Sequence, residues 1–402
     1  MMNPHRAEYD VIVVGAGPAG LASAIFCSRN NHRVLLLEKA EKIGPEPRGE
    51  TLHDDPILDD LLGEGFMESI KLSKTAERIF HAPDVDEIIR KMRKTPSIVF
   101  PWDAFVNRLG EQMNFTKVEL KLNSEVTELI LNQDVICGVV YKDQSGEKNQ
   151  AFSKVILACD GHDSIIGAKL GYSYDSINFP VVKSLMKNGN YEGKGFRYFF
   201  VPTGALEFAP EFPPMVAFVF PRDDKNLECG LMIQTDLTAE LSIPEVSGDD
   251  ITQVWVRFKD EYPVFSDIVR NCPILYEKIT AIPMTGPVES YIPRKGIILV
   301  GDAAGFVEVS GGSGLVTSIK MAKKCSEIIS DALKASDDAK ALWTDKIVNT
   351  WESSLRKCKT HKHVERTAKI YNWLRKLIFV RWRDSEHIMK RWWIIKLLMK
   401  FS

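Results

Sequence analysis

Residues Tyr9 to Ala40 read "YDVIVVGAGPAGLASAIFCSRNNHRVLLLEKA", and this stretch decides the fold. A short apolar run, Val11 to Val14, feeds a G-x-G-x-x-G turn at Gly15, Gly17 and Gly20; small and apolar residues follow at helical spacing. A second apolar run, "RVLLLE", ends in Glu38, eighteen positions after Gly20. Strand, glycine turn, helix and strand at these lengths make a parallel βαβ unit built for a dinucleotide. Gly15 permits the tight turn, Gly17 lets the backbone approach a pyrophosphate, and Gly20 allows close helix packing, while the helix N-terminus offers N–H groups and a positive dipole end to phosphate. Glu38 is placed to accept hydrogen bonds from a ribose diol. An acid there disfavours a 2′-phosphate, so the pattern predicts FAD or NAD and not NADP.

Two later segments turn that choice towards FAD. "VILACDGHDS" ends a predicted strand at Asp160, and "GIILVGDAAGFVEVSGGSGLVTSIKMAKKC" places Asp302 after another, before a glycine-rich loop and a helix beginning near Gly314. An aspartate at a strand end can bind a ribityl hydroxyl, and a helix N-terminus can face the anionic edge of a reduced isoalloxazine. A third stretch, "GPEPRGETLHDD" from Gly44 to Asp55, follows the second strand. Its periodicity suggests neither helix nor sheet, so we expect an irregular loop that touches the cofactor.

At 402 residues and a formal net charge of -2, the chain can bury a large core in two or three domains. Seven scattered cysteines without C-x-x-C spacing suggest neither a disulfide framework nor a zinc site, and predict a reducing cytosol. The N-terminus lacks a signal-peptide core, and no apolar run approaches the roughly 18 residues of a membrane span. Short runs "VELKL", "VTELIL", "ICGVVY" and "VILAC" read as an antiparallel meander returning to a buried strand, with "DQSGEKNQ" as a hairpin turn. "FRYFFVP", "MVAFVFP" and "LECGLMI" read as a second sheet, and helical spacing recurs in Gly314 to Ala335 and towards the C-terminus.

The fold class expected is therefore α/β plus α+β: a Rossmann-type FAD-binding domain with an inserted antiparallel-sheet substrate domain and C-terminal helices. The boundaries expected are 1–75, 101–172 and 286–338 for the FAD-binding domain, 76–100 and 173–285 for the substrate domain, and 339–402 for the helices. That last region carries fourteen Lys and Arg against three Asp and Glu from Leu355 onwards, with Trp373, Trp382, Trp392 and Trp393 interleaved. Two readings stand side by side: a helical pair packed on the body, or a basic amphipathic surface lying on anionic lipid. No recognition motif for nucleic acid accompanies the charge.

Taken together, Gly15 to Glu38, Asp160-Gly161 and "GDAAGFV" resemble the flavoprotein monooxygenase superfamily with the hydroxybenzoate hydroxylase fold. Within it, "EKIGPEPRGETL", "MVAFVFPRDDKNLECGL" and "GDAAGFVEVSGGSGL" resemble the geranylgeranyl reductase family. The chain departs from that family's pattern in four places. The family's R-C-G-E-G-L is Arg48-Gly49-Glu50-Thr51-Leu52 without the cysteine, Val309 replaces a proline, and Phe218 stands where tryptophan is usual. Its R-x-x-F-D becomes Val99 to Asp103, without the arginine.

The resemblance implies FAD contacts at Ala19, Glu38, Arg48, Gly49, Val126, Asp302, Gly314 and Leu315, beside Gly15, Gly17, Gly20, Asp160 and the loop glycine Gly312. It implies hydride transfer from reduced flavin to a prenyl double bond, with Glu50, His53 and Glu308 as candidate acids or polar gates and no metal. Phe196, Phe199, Phe200, Phe218 and Phe220 would line an apolar tunnel. The partners implied are a hydrophobic small molecule or prenyl lipid, an external donor such as NAD(P)H or ferredoxin, and a membrane surface; the location implied is cytoplasmic, peripheral at the inner face of the membrane. The alternative on the same fold is a flavin-dependent monooxygenase (hydroxylase or epoxidase) or a halogenase-related enzyme, although the halogenase W-x-W-x-I-P is absent from the sequence.

Overall fold

The computed structural model describes residues 8–44, 46–84, 86–113, 117–162, 164–170, 178–308, 314–335 and 342–401. Strand β1 (Tyr9–Val14) turns through the glycines into the helix Pro18–Arg29 and returns as β2 (Val34–Leu37), parallel to β1 from Val11↔Val34 to Val14↔Leu37. Next come β3 (Gly49–His53), β4 (Ser73–His81) and β5 (Ile88–Pro101), which belong to a different sheet. The chain then re-enters the first sheet as β6 (Val118–Lys121), parallel to β2.

Strands β7 (Glu125–Asn132), β8 (Val135–Lys142) and β9 (Lys148–Ala158) form the predicted antiparallel meander. The second half of β9 runs parallel to β1 in the core of the sheet. One part of the meander reading needs correcting. "VELKL" is β6, an edge of the parallel sheet, because its apolar residues pair with β2 and not with β7.

The second sheet continues with β10 (Asn178–Met186), β11 (Phe196–Val201), β12 (Met215–Pro221), β13 (Leu227–Ile233) and β14 (Ile274–Pro283), before β15 (Ile297–Leu299) returns to lie beside β9. The resulting orders are β6-β2-β1-β9-β8-β7, with β15 on β9, and β14-β10-β13-β12-β11-β4-β5-β3. The Gly44–Asp55 stretch is thus not wholly irregular: Gly49 to His53 form the edge strand β3, paired with Pro101 to Ser97 of β5. Tertiary pairing supplies what local propensity lacks.

Each layer has its own core. The first sheet is covered by the helices Pro18–Arg29 and Leu315–Ala335, which are joined by Asn30 Nδ2 to Ser326 Oγ at 3.0 Å and by His32 to Ser330 at 2.8 Å. Strand alternation puts Phe199 on the opposite face of β11 from Phe196 and Phe200. Phe199 packs with Trp255, Phe258 and Phe265 beneath the helices Gly248–Glu261 and Phe265–Val269, so it is core and not tunnel wall. On the other face, the C-terminal segment closes over Phe80, Tyr198, Phe200 and Met232 with Phe379, Trp382 and Trp392.

Candidate active site

The nucleotide turn has the geometry its glycines require. Gly15 holds φ at +95°, and a Cβ there would lie 2.5 Å from the Cys159 carbonyl oxygen; a Cβ on Gly20 would lie 1.8 Å from the Gly15 oxygen. Around Gly17, by contrast, a Cβ would meet nothing within 4 Å. Gly17 is the N-cap of the helix, Pro18 follows inside its first turn, and no side chain caps that end, which leaves N–H groups for an anion. Glu38, just beyond β2, accepts from the Ala16 N–H at 2.6 Å and the Ala40 N–H at 2.9 Å. Ala19 packs against Gly301, where an added Cβ would come within 2.6 Å of it, so the turn meets the segment carrying Asp302.

Asp302 lies in the short 3-10 turn Gly301–Ala304 after β15, and a Cβ on Gly314 would sit 3.2 Å from its Oδ1. Burial pushes the Asp302 carboxyl up, His162 and Lys183 oppose this, and Glu50 reinforces it. Those three groups come from beyond β9, from β10 and from β3, so Asp302 stands where the two sheets meet. Leu315, nearly buried, opens the helix that follows. Val126 sits near the start of β7 with its side chain in the first core. Asp160 is used locally: its carboxylate accepts from Ser164 Oγ at 2.8 and 3.0 Å and from the Ile166 N–H at 3.1 Å, at the start of the helix Ile165–Lys169. Gly312, like Val309, lies outside the described residues.

Around β3 an ion-pair chain replaces the expected loop. Arg48 pairs with Glu46 at 2.8 Å and Glu50 at 2.5 Å, its guanidinium stacks 4.4 Å over the Trp102 ring, and the Trp102 backbone N–H donates to the Arg48 carbonyl at 2.9 Å. Trp102, which stands at the phenylalanine of the motif whose arginine is Val99 here, therefore holds another arginine. Glu50 also pairs with Lys183 at 2.8 Å. Burial pushes its carboxyl up, but Lys183 and Arg48 outweigh that and hold it down at about 2. Glu50 is accordingly an anion at neutral pH, which suits a gate or an orienting charge and not a proton donor.

His53 belongs to a different environment, because alternation along β3 turns residues 50 and 53 to opposite faces. Its Nδ1 lies 3.0 Å from Ser97 Oγ, which accepts from Arg78 Nη2 at 2.5 Å. Burial lowers the His53 pKa, Glu308 opposes, and Arg93 and Arg78 add to the lowering, so the imidazole is neutral at pH 7. Glu308 itself faces His363 at 3.7 Å. Arg78 is buried 4.4 Å over the Phe196 ring. Directly opposed registers then put Tyr198, Phe218, Gly230 and Lys183 on one face of the sheet, with Phe220 opposite Glu228 on that same face. Phe196–Phe220 centroids are 4.4 Å apart and Phe218–Phe220 5.0 Å, a continuous aromatic wall ending at the charged chain.

Sequence reasoning missed Lys183, Arg78, Trp102 and Glu228. Each left a faint signal, a charge or ring inside an apolar strand run such as "FPVVKSLM" or "LECGLMI".

The uncapped helix, the open space at Gly17, the Glu38 carboxylate and Asp302 at the sheet junction together fit an adenine dinucleotide flavin. The family model described as "FAD binding domain" matches residues 8–344. The chain belongs to this family. Its FAD-binding fold also aligns with digeranylgeranylglycerophospholipid reductase 2 of Methanopyrus kandleri at 25% identity over 375 residues, 91% of this chain and 87% of the relative. The digeranylgeranylglycerophospholipid reductase of Methanocella arvoryzae is 25% identical over 351 residues, 84% of this chain and 81% of the relative. Among solved structures, a geranylgeranyl bacteriochlorophyll reductase-like protein from Thermoplasma acidophilum superposes at a TM-score of 0.72 with 17% identity, covering 95% of each chain. The p-nitrophenol 4-monooxygenase of Pseudomonas putida superposes at 0.67 with 18% identity and 97% coverage of each; like the first, it shows the shared fold.

Proposed function

We propose that this FAD-binding protein reduces carbon–carbon double bonds in the prenyl chains of a lipid. The observation that carries the reading is the aromatic surface of Phe218 and Phe220, backed by the buried Phe196 and by Tyr198 beneath the C-terminal segment, which ends at the Glu50–Lys183 pair beside the junction of the sheets. A polyisoprenoid has little to offer but apolar area and π-faces, and such a wall is complementary to it. The names of the archaeal relatives support the same substrate class.

Bound FAD, once reduced, supplies the hydride equivalent. The chain's own residues do the rest. Gly15, Gly17, Gly20 and the helix they open would hold the pyrophosphate, Glu38 the ribose, and Asp302 with Gly314 and Leu315 the flavin end, while Arg48 and Gly49 would lie beside the ring. An isolated alkene is a poor hydride acceptor, so positioning by the aromatic wall and exclusion of water contribute most of the rate. Arg78 donates to Ser97 and so orients it towards His53; of these groups only the His53 imidazole and the Ser97 hydroxyl can pass on a proton, which must come from solvent.

Electrons reach the flavin from an external donor, NAD(P)H or a ferredoxin. The substrate comes from a membrane: Ile370, Trp373, Trp393 and Leu397 are exposed on the basic C-terminal helices, a composition suited to anionic headgroups at the cytoplasmic face. Among the described residues no helix is long and apolar enough to cross a bilayer. Anaerobic incubation of the flavoprotein with dithionite and prenyl lipids, followed by mass analysis, tests the proposal. A gain of two hydrogens per double bond supports it; product formation only when oxygen is admitted makes the enzyme a monooxygenase.

A further inference from the structure

Glu228 lies where the aromatic wall meets β3. It stands opposite Phe220, is 8% exposed, and its Oε1 accepts from the Gly49 N–H at 2.7 Å and from Arg222 Nη1 at 3.2 Å. A Cβ on Gly49 would come 2.3 Å from that oxygen, so a larger residue there would push the carboxylate out of its present place. Strands β3 and β13 are not neighbours in the sheet order. The bond is therefore a strut across the curl of the sheet, fixed to the one residue between Arg48 and Glu50.

We propose that Glu228 is a positioning residue for FAD, holding Gly49 so that Arg48 and Glu50 keep their places at the cofactor; this rests on the reading that the Arg48-Gly49 segment borders the flavin. The charged groups that act on the carboxylate are Arg222, with its partner Asp224, from the β12–β13 turn and Glu50 from β3, which is itself paired with Arg48 and with Lys183 from β10. Burial pushes the Glu228 carboxyl up to about 6, Arg222 and the Gly49 N–H oppose this, and Glu50 adds to it. A carboxylate accepts from an N–H more strongly than a neutral acid does. The hold on β3 consequently tightens as pH rises through that point.

The test needs no prenyl substrate. FAD is titrated into apoprotein and followed by flavin fluorescence, and the visible spectrum of the holoprotein is recorded from about pH 5 to about pH 8, a window around an ordinary histidine pKa. In the unaltered protein the flavin spectrum shifts with a midpoint near 6, the value expected for Glu228. Glu228→Gln removes the midpoint yet binds FAD within a few-fold, and Glu228→Ala weakens FAD binding by on the order of tenfold, the loss expected for one buried charge-assisted bond. A midpoint that survives Glu228→Gln, or a folded Glu228→Ala protein that binds FAD normally, overturns the proposal. If Glu228→Ala does not fold, the Glu228→Gln spectrum decides. Unchanged FAD binding in Arg48→Ala removes the premise and the proposal with it, whereas a failure to reduce prenyl lipids leaves both flavin readouts intact and counts only against the substrate assignment.

Discussion

Glu50 shows how a single carboxylate can be recruited as a fixed charge. Lys183 and Arg48 hold it ionised to about pH 2 in spite of its burial. A carboxyl depressed below its unfolded value contributes stability that is fully present above the ordinary carboxylate range and is lost as pH falls towards its folded value. Glu50→Gln is therefore expected to lower the melting temperature at neutral pH, with the deficit closing between about pH 5 and about pH 2; thermal scans over that range check the sign. Lys183→Met leaves a half-buried carboxylate half-compensated and should cost about 1–3 kcal/mol in urea unfolding. A deficit below a few tenths would show that Arg48 alone suffices. At this scale the glycine turn was readable, since Gly15 and Gly20 sit in backbone geometry that few other residues tolerate and Glu38 bonds back to the turn at Ala16. Lys183 was not, because nothing in "FPVVKSLM" reveals that Glu50, 133 positions away, supplies its partner.

Elements divide along the same line. The first βαβ unit is local in sequence, and its helix and strands fall where periodicity puts them. Strand β3 is not local: Gly49 to His53 become extended only through pairing with β5 and the strut from Glu228. Gly49→Ala should accordingly destabilise the protein by about 1–3 kcal/mol, the usual cost of forcing a methyl into a filled site, measurable as a lower urea midpoint. The C-terminal helices pack on the body, as one reading of their composition expects, and leave exposed the apolar side chains on which the proposed membrane contact rests. Trp392 is 3% exposed within the core cluster, and its neighbour Trp393 is 64% exposed. Trp392→Ala should cost about 3–5 kcal/mol, while Trp393→Ala should leave stability within about 0.5 kcal/mol and weaken binding to anionic liposomes. Equal liposome binding by Trp393→Ala and the unaltered protein would end the membrane assignment for this face.

For the molecule as a whole, the chain's path between two sheets brings the candidate cofactor residues of both to one junction. It crosses to the second sheet for β3 to β5, returns for β6 to β9, crosses again for β10 to β14 and comes back as β15. Alternating helix and strand periods announced that interleaving, but boundaries placed by composition could not assign β3 to the second sheet, since pairing and not composition decides it. Asp302 from one sheet and Glu50 with Lys183 from the other act on one another across the junction. A ligand that binds only the native arrangement stabilises it by mass action, about 2.7 kcal/mol at a free concentration of about a hundred times Kd. Stripping FAD should thus lower the melting temperature by several degrees, and re-addition should restore it with a concentration dependence of that logarithmic form. Because the junction joins both sheets, the gain should appear as a shift of one cooperative transition followed by tryptophan fluorescence and by far-ultraviolet circular dichroism alike. Two separated transitions, only one of them sensitive to FAD, would mean that the cofactor is held by the first sheet alone and that the Glu50–Lys183 pair has no part in binding it.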